Sequence, residues 1–113
     1  MKIFVDIDET ICRNQRSNSN AVDYRLAEPI EENISAVNRY YDEGHNITYW
    51  TARGTVTGID WYDVTKKQLS TWGAKHHSLI LGKPDYDLYI DDKSVNVEHW
   101  SKNPHSYVIK QEN

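Results

Sequence analysis

The fold is decided by the stretch Lys2-Ile3-Phe4-Val5-Asp6-Ile7-Asp8-Glu9-Thr10, in which an apolar run ends in two carboxylates. A second stretch of this kind, Asp87-Leu88-Tyr89-Ile90-Asp91-Asp92, lies near the end of the chain. Near-continuous apolar runs are typical of strands that are covered on both faces. Because the carboxyl ends of parallel strands meet at one edge of a sheet, we expect both acidic clusters to share one crevice, which would suit a hard divalent cation.

Strands and helices are predicted to alternate along the rest of the chain. Residues 29–43 are predicted to form a helix, because Pro29 suits a first turn, apolar residues recur at helical spacing and Gly44 fits the stop. The segment from Tyr62 to Trp72 is predicted to form a second helix. Further strands are predicted at residues 46–50, 78–81, 87–90 and 106–109. This alternation indicates an α/β fold built on a parallel sheet.

Residues 9–28 are predicted to form a flap or hairpin over the site. The segment is polar and longer than a usual connection between a strand and a helix. The chain of 113 residues is expected to be one domain, residues 1–113, and it is too short for a separate cap domain. Specificity must then come from loops, and this flap is the candidate lid.

The two carboxylates of the first stretch are suited to shared catalysis. Asp6 and Asp8 have one residue between them, so on an extended segment both side chains point the same way. One carboxylate can attack phosphorus as a nucleophile, while its like-charged neighbour, kept partly protonated, donates a proton to the leaving oxygen. Crowded carboxylates need a countercharge, and Mg²⁺ held together with Asp91 or Asp92 would provide it.

Groups that bind phosphate are predicted just past the ends of two other strands. Thr51 follows the predicted strand at residues 46–50, and Lys83 follows the one at residues 78–81. A hydroxyl and an ammonium there would bind the oxygens of a transferring phosphoryl group and stabilise the charge that shifts in the transition state. Arg53 is a third candidate, because its guanidinium would either bind a substrate phosphate or sugar through two hydrogen bonds or form a surface ion pair.

The chain resembles the haloacid dehalogenase-like (HAD) hydrolases over residues 2 to about 96. Four motifs stand in the order of that family, namely Asp6-Ile-Asp8-Glu-Thr10, Ile47-Thr-Tyr-Trp-Thr51, Lys83 and Tyr89-Ile-Asp91-Asp92. The resemblance implies a three-layer, doubly wound, Rossmann-like parallel sheet of about five strands, with the nucleophile on a central first strand. The segments in which this family inserts caps, residues 11–28 and 52–82, hold only a flap and one helix, so the chain resembles the short capless phosphatases.

The same resemblance implies a role for each acidic residue. Asp6 would be the nucleophile that forms an aspartyl phosphate, and Asp8 would be the general acid and then the base for the attacking water. Asp6, the backbone carbonyl of Asp8 and Asp91 would hold Mg²⁺, with Asp92 contacting the ion directly or through water. Asp8 favours phosphate chemistry over dehalogenation, because family members that only dehalogenate lack an Asp at this position. The phosphate would be bound by the Thr and Lys named above.

Composition argues against some partners. No stretch approaches the roughly 18 apolar residues of a membrane span, and the start of the chain carries no cleavable signal, so we expect a cytoplasmic protein. A net charge of −4 without a run of Lys or Arg disfavours a nucleic-acid groove. The lone Cys12 is predicted to be a small buried or half-buried side chain rather than a nucleophile, and the tryptophans are predicted to pack in the core.

The function predicted from the sequence is Mg²⁺-dependent phosphomonoester hydrolysis. By resemblance the substrate is a small phosphorylated metabolite such as a sugar phosphate, in polysaccharide biosynthesis. An open site also permits a phosphatase for phosphoproteins or nucleic-acid ends, although the shortage of basic residues disfavours the latter. A non-enzymatic receiver domain uses similar residues, but in a different order along the chain. A homo-oligomer, in which a partner subunit helps exclude water from the open site, stays open.

Overall fold

A parallel three-stranded sheet organises the fold. The computed structural model describes residues 1–108. Its elements are, in chain order, β1 (Lys2–Val5), β2 (Cys12–Arg16), β3 (Val22–Pro29), α1 (Glu31–Asp42), β4 (Asn46–Thr51), α2 (Tyr62–Thr71), β5 (Ser78–Leu81), α3 (Val97–Trp100) and a 3₁₀ helix (Pro104–Tyr107). Strand β4 pairs in parallel with β1 on one side and with β5 on the other. The carboxyl ends of all three strands therefore meet at one edge of the sheet.

The middle strand of this sheet is β4, which corrects the prediction that the first strand is central. Burial follows the order of the strands, because four of the six residues of β4 are buried while β1 buries only Val5. Phe4 of β1 is 59% exposed and touches the ring of Trp50 edge to face. Strand β1 thus has a covered face and a largely open one, as expected of an edge strand.

Two predicted strands are absent from the described residues. The parallel sheet therefore has three strands there, rather than the predicted number of about five. Residues 87–90 form no strand, and Leu88 and Ile90 are 76% and 88% exposed. A run of four residues has little strand preference of its own, because strand formation depends on a neighbouring edge and on side-chain packing. The strand predicted at residues 106–109 is wrong for Ser106 and Tyr107, which belong to the 3₁₀ helix. Its last residue, Ile109, lies outside the described residues.

The predicted flap is a hairpin of β2 and β3, paired in antiparallel fashion. It begins directly after the first acidic cluster, where the backbone N–H groups of Thr10 and Ile11 both donate to the carbonyl of Ile7. Glu9 adopts a φ of 60° in this turn, a left-handed conformation that non-glycine residues rarely take. The turn sends the chain back over the carboxyl edge of the sheet. The capless prediction agrees with the described residues, in which no second domain follows β1 or β4.

Both predicted helices are present, and their apolar faces close the core. Helix α1 buries Ile34, Val37 and Tyr40, which stand three residues apart on one face, and Gly44 follows it with a φ of 96°. Helix α2 buries Thr65 and Leu69, which are four residues apart. The core joins these faces to side chains of the sheet and of the turn that precedes the hairpin. Within residues 1–108 no helix is long and apolar enough to cross a membrane.

Candidate functional site

Lys83 lies beside Asp6 at the carboxyl edge of the sheet, as the sequence predicts. Its ammonium nitrogen is 3.6 Å from Oδ1 of Asp6. Two threonines hold the Lys83 backbone, one at the end of β4 and one in the loop that follows. The N–H of Lys83 donates to the carbonyl of Thr51 (3.1 Å), and the carbonyl of Lys83 accepts from the hydroxyl of Thr55 (2.8 Å). The Lys83 side chain is only 13% exposed and lies over the ring of Trp50. The cation is therefore placed by the fold rather than left in solvent.

The carboxylate of Asp6 is half-buried, with 38% of its side chain exposed. Burial raises the pKa of Asp6, because the ionised form loses solvation, and the like charge of Asp8 raises it further. The ammonium of Lys83 and a hydrogen bond from the backbone N–H of Ile7 lower this pKa and offset part of the rise. A carboxylate that is partly desolvated, partly exposed and flanked by one cation is suited to act as a nucleophile.

Asp8 is held by Arg53, whose side chain is fully buried. The guanidinium donates from Nε to both carboxylate oxygens, at 3.1 and 3.2 Å, and from Nη2 to Oδ1 at 2.9 Å. Its remaining N–H groups donate to the sulfur of Cys12 and to the side-chain oxygens of Thr65 and Gln68. A guanidinium carries five N–H groups. Each of them has an acceptor here. The pair is thus buried rather than at the surface, and the arrangement favours positioning of Asp8. Phosphate binding by Arg53 stays a prediction.

Thr51 ends β4 inside the protein, with its side chain fully buried. Its hydroxyl oxygen accepts the backbone N–H of Arg53 at 3.1 Å, which fixes the start of the loop that carries the guanidinium. Its backbone carbonyl accepts the N–H of Lys83. Thr51 therefore joins the two loops that bring positive charge to the carboxylates. Direct phosphate binding by its hydroxyl stays a prediction.

A cavity of about 440 Å³ adjoins the carboxylates. Its lining includes Asp6, Asp8 and Arg53, together with Tyr24 of the hairpin and Trp61 of the loop before α2. The guanidinium of Arg53 lies over the Tyr24 ring, 4.8 Å from the ring centroid. The two aromatic rings meet edge to face with their centroids 5.1 Å apart. A cleft that combines aromatic side chains with a few polar groups is the common form of a site for a small molecule.

The predicted magnesium ligands do not come together in this arrangement. Within residues 1–108 no group of three or more His, Cys, Asp or Glu side chains is placed to hold a metal ion. Asp91 and Asp92 are exposed and lie apart from the cavity lining, and Asp91 accepts a hydrogen bond from the backbone N–H of Lys93. The residues as placed therefore do not fit the ion that the resemblance implies.

Sequence reasoning missed three residues of the site. Asn14 and Tyr24 of the hairpin line the cavity, and Gln68 of α2 joins the hairpin to Arg53, because its Oε1 accepts from Nη1 and its Nε2 donates to the carbonyl of Tyr24, each at 2.6 Å. Trp61 was predicted to pack in the core and instead lines the cavity. Amide side chains carry no spacing signal, so only the tertiary arrangement reveals them.

Comparisons with known proteins bear on the fold. No protein-family model matches the chain. No curated protein matches it either. Among solved structures, the crystal structure of a structural-genomics target from Vibrio cholerae is similar, with a TM-score of 0.75 and 26% sequence identity over 89% of this chain and 88% of the other. The likeness therefore extends over nearly the whole length of both chains, and it carries no activity to this one.

Proposed function

We propose that this protein is a phosphomonoester hydrolase that works through an aspartyl phosphate on Asp6. The observation that supports this most directly is the placement of two carboxylates side by side at the sheet edge, one next to the ammonium of Lys83 and the other fixed by Arg53. Paired carboxylates with separate partners can take different roles in one reaction. The cavity beside them gives a small phosphate ester access to both.

The proposed reaction has two steps that the carboxylates share. In the first, an oxygen of Asp6 forms a bond to phosphorus while the ester P–O bond breaks, and Asp8 passes a proton to the departing alcohol oxygen. In the second, water attacks the phosphorus of the aspartyl phosphate, Asp8 takes the water proton, and the bond between phosphorus and the Asp6 oxygen breaks. Inorganic phosphate leaves, and the Asp6 carboxylate is restored.

Positive charge near Asp6 serves this reaction in two ways. The ammonium of Lys83 reduces the repulsion between an anionic nucleophile and an anionic ester, and it stabilises the charge that develops on the phosphoryl oxygens. The loop contacts of its backbone fix the position of this cation before substrate binds. Preorganised charge of this kind costs no rearrangement at the moment of reaction.

The metal requirement belongs to the proposal as a separate element. Mg²⁺ suits phosphate esters and crowded carboxylates, but Asp91 and Asp92 would have to approach Asp6 for the ion to be held as the resemblance implies. We also propose that the sheet is the doubly wound sheet of about five strands that is typical of a capless HAD-like hydrolase. The proposed substrate is a small phosphorylated metabolite such as a sugar phosphate, and the proposed location is the cytoplasm.

The test is repeated turnover of p-nitrophenyl phosphate in excess over the protein. We expect continuous release of p-nitrophenol, and the separate Mg²⁺ element of the proposal predicts loss of that release with EDTA and its recovery when Mg²⁺ is restored. Asp6→Asn should abolish turnover, whereas the matched control Asp63→Asn should keep it, because Asp63 is exposed on the first turn of α2 and does not line the cavity.

Each other outcome has a clear meaning. Turnover that survives in a correctly folded Asp6→Asn variant rejects the nucleophile. A single phosphorylation per chain by acetyl phosphate, without release of phosphate, indicates a receiver-like phosphoacceptor instead. Turnover that is unaffected by EDTA removes the metal from the proposal and leaves the carboxylate mechanism standing.

A further inference from the structure

Tyr24 brings the hairpin into contact with the buried guanidinium of Arg53. Tyr24 belongs to β3, whereas Arg53 lies in the loop after β4, and the guanidinium carbon lies over the Tyr24 ring. Arginine side chains pack on aromatic rings in this way, and the attraction is stronger where water is excluded. The hairpin therefore contacts the cation that binds Asp8.

The aromatic contact restrains Arg53 in a way that its hydrogen bonds do not. The five N–H groups of the guanidinium, which point outward in the plane of the group, already have acceptors. The Tyr24 ring packs against the same group and keeps water from it, since the Arg53 side chain has no exposed surface. The ring thus resists reorientation of a guanidinium that water would otherwise loosen.

Two further contacts fix Tyr24 itself. Its backbone carbonyl accepts from Nε2 of Gln68 at 2.6 Å, and its ring meets the ring of Trp61 edge to face. Gln68 also accepts from Arg53, so one amide side chain joins β3 to the guanidinium. A displacement of the hairpin would break these contacts and take the ring away from Arg53.

The orientation of Asp8 depends on this arrangement. Its two carboxylate oxygens accept from Nε and Nη2 of Arg53, so a tilt of the guanidinium turns the carboxylate with it. An error of about 1 Å in the placement of reacting groups can slow a reaction about a hundredfold. A contact between the hairpin and Arg53 is therefore able to change the rate of a step in which Asp8 takes part.

The nucleophile has separate supports. Lys83 is held beside Asp6 by hydrogen bonds with Thr51 and Thr55 and lies over the ring of Trp50. These three residues belong to β4 and to the loop after it rather than to the hairpin. Loss of the Tyr24 ring leaves these contacts in place.

From these observations we infer that the hairpin controls proton transfer at this site, with Tyr24 as a positioning residue that acts on Asp8 through Arg53. With the ring against the guanidinium, Asp8 is aligned to pass its proton to the leaving oxygen as the P–O bond breaks. When the hairpin lifts, this proton transfer slows, while attack by Asp6 keeps its supports. The inference rests on the proposed phosphatase function.

The test compares two aryl esters that differ in their need for a proton. p-Nitrophenolate is a weak base that leaves without a proton, whereas the more basic phenolate leaves phenyl phosphate with help from a general acid. In Tyr24→Leu we expect kcat/KM for phenyl phosphate to fall about tenfold or more, and that for p-nitrophenyl phosphate to stay within about threefold of the original. Tyr24→Phe keeps the ring, so both values should stay within about twofold.

Tyr62 provides the matched control. Its ring also contacts a cation, Nζ of Lys66 at 5.7 Å from the ring centroid, but both residues lie on α2 and neither lines the cavity. Tyr62→Leu should leave both rates unchanged. Tyr24→Met repeats the comparison with a flexible side chain that fills irregular space, so the outcome does not depend on the folding of one variant.

A measurement without substrate follows the same contact. The Nε–H of Arg53, observed by NMR, should exchange with solvent at least about tenfold faster in Tyr24→Leu than in the original protein, and at an unchanged rate in Tyr24→Phe. Equal losses for the two esters in Tyr24→Leu, or unchanged exchange of this Nε–H, overturn the inference and leave the phosphatase standing. No turnover of either ester by the original protein rejects the phosphatase itself, and the proton transfer with it.

Discussion

The guanidinium of Arg53 binds both carboxylate oxygens of Asp8 from a fully buried position, while the Asp8 side chain keeps 20% of its surface exposed. The loop after β4 thus sets the orientation of a carboxylate that follows β1. The interaction also couples function to stability, because a buried charge tolerates the loss of its partner poorly. Asp8 is positioned by the protein before any substrate arrives.

Arg53→Met should destabilise the protein strongly. Removal of the guanidinium leaves the carboxylate of Asp8 without its cation and leaves the side-chain oxygens of Thr65 and Gln68 without a donor. We expect the free energy of unfolding to fall by about 3–5 kcal/mol, as measured by urea denaturation. Arg53→Lys should recover only part of this loss, because an ammonium cannot reproduce the planar fork.

An exposed ion pair provides the matched control for Arg53. Arg25 pairs with Asp23 on the outside of the hairpin, with 68% of the Arg25 side chain exposed. Arg25→Met should leave the urea midpoint nearly unchanged, because solvent screens such pairs. Equal effects of the two Arg→Met changes would contradict the buried-pair interpretation.

Gln68 should control how firmly the hairpin is held over the cavity. Its amide accepts from Arg53 and donates to the carbonyl of Tyr24, so it is the hydrogen-bonded link between the guanidinium and β3. Gln68→Glu keeps an acceptor for Arg53 but loses the donor for Tyr24. We expect backbone amides around Tyr24 to exchange with deuterium about tenfold faster in this variant, which corresponds to the loss of one net hydrogen bond.

The matched control for Gln68 is Asn38, which belongs to α1 and lies outside the hairpin. The amide of Asn38 also bridges two elements, since it donates to the carbonyl of Gly73 and accepts from the N–H of Lys75, far from the hairpin. Asn38→Asp should leave exchange around Tyr24 unchanged. Unchanged exchange in Gln68→Glu as well would show that the hairpin is held by its other contacts.

Sequence patterns predicted the parts of the fold whose signals are local. The spacing of Ile34 and Val37, together with Gly44, predicts helix α1 because helix faces and helix stops depend on neighbouring residues. The run at residues 87–90 has the same composition as a strand, yet it lies outside the sheet. Whether this run forms a strand depends on whether the edge of a sheet pairs with it, and no local sequence pattern shows that.

The candidate site was predictable to the extent that strand ends determine it. Asp6, Asp8 and Lys83 were expected together because each follows a strand of a parallel sheet, and the structure places the ammonium beside the first carboxylate. The pairing of Arg53 with Asp8 was not predictable, because it depends on the burial of a guanidinium among side chains from α2 and the hairpin. Asn14 depends on an irregular register that sequence patterns do not show.

The acidic limb of the pH–rate profile should report the ionisation of Asp6. In the proposed mechanism the nucleophile Asp6 acts as a carboxylate, so kcat/KM should rise as pH increases through its pKa, and burial raises that pKa above 3.8. Lys83 lowers the pKa of Asp6, so Lys83→Gln should move the limb to still higher pH as well as reduce the plateau. The measurement is kcat/KM for p-nitrophenyl phosphate across the acidic range.

Lys75 offers the matched control for this shift. It pairs with Asp42 on the surface and is half exposed, so Lys75→Gln removes the same charge without changing the surroundings of Asp6. Its acidic limb should coincide with that of the original protein. A limb that stays in place, or moves to lower pH, in Lys83→Gln would contradict the assignment of this ionisation to Asp6.

The thiol of Cys12 should be inert in the folded protein, and its reactivity should report the integrity of the pair between Asp8 and Arg53. Burial raises the pKa of Cys12 to about 12, the charge of Asp8 raises it too, and the guanidinium of Arg53 opposes the rise. At about pH 8 the thiol is then almost entirely protonated, and Cys12 is fully buried. We expect 5,5′-dithiobis(2-nitrobenzoic acid) to label the native protein only as fast as the protein opens locally. The protein unfolded in guanidinium chloride should be labelled at once.

The variant Arg53→Met should be labelled faster than the original protein, because its local opening costs less free energy. Rapid labelling of the original protein under native conditions would show that the turn around Cys12 is open to solvent and would remove the basis for a preorganised Asp8.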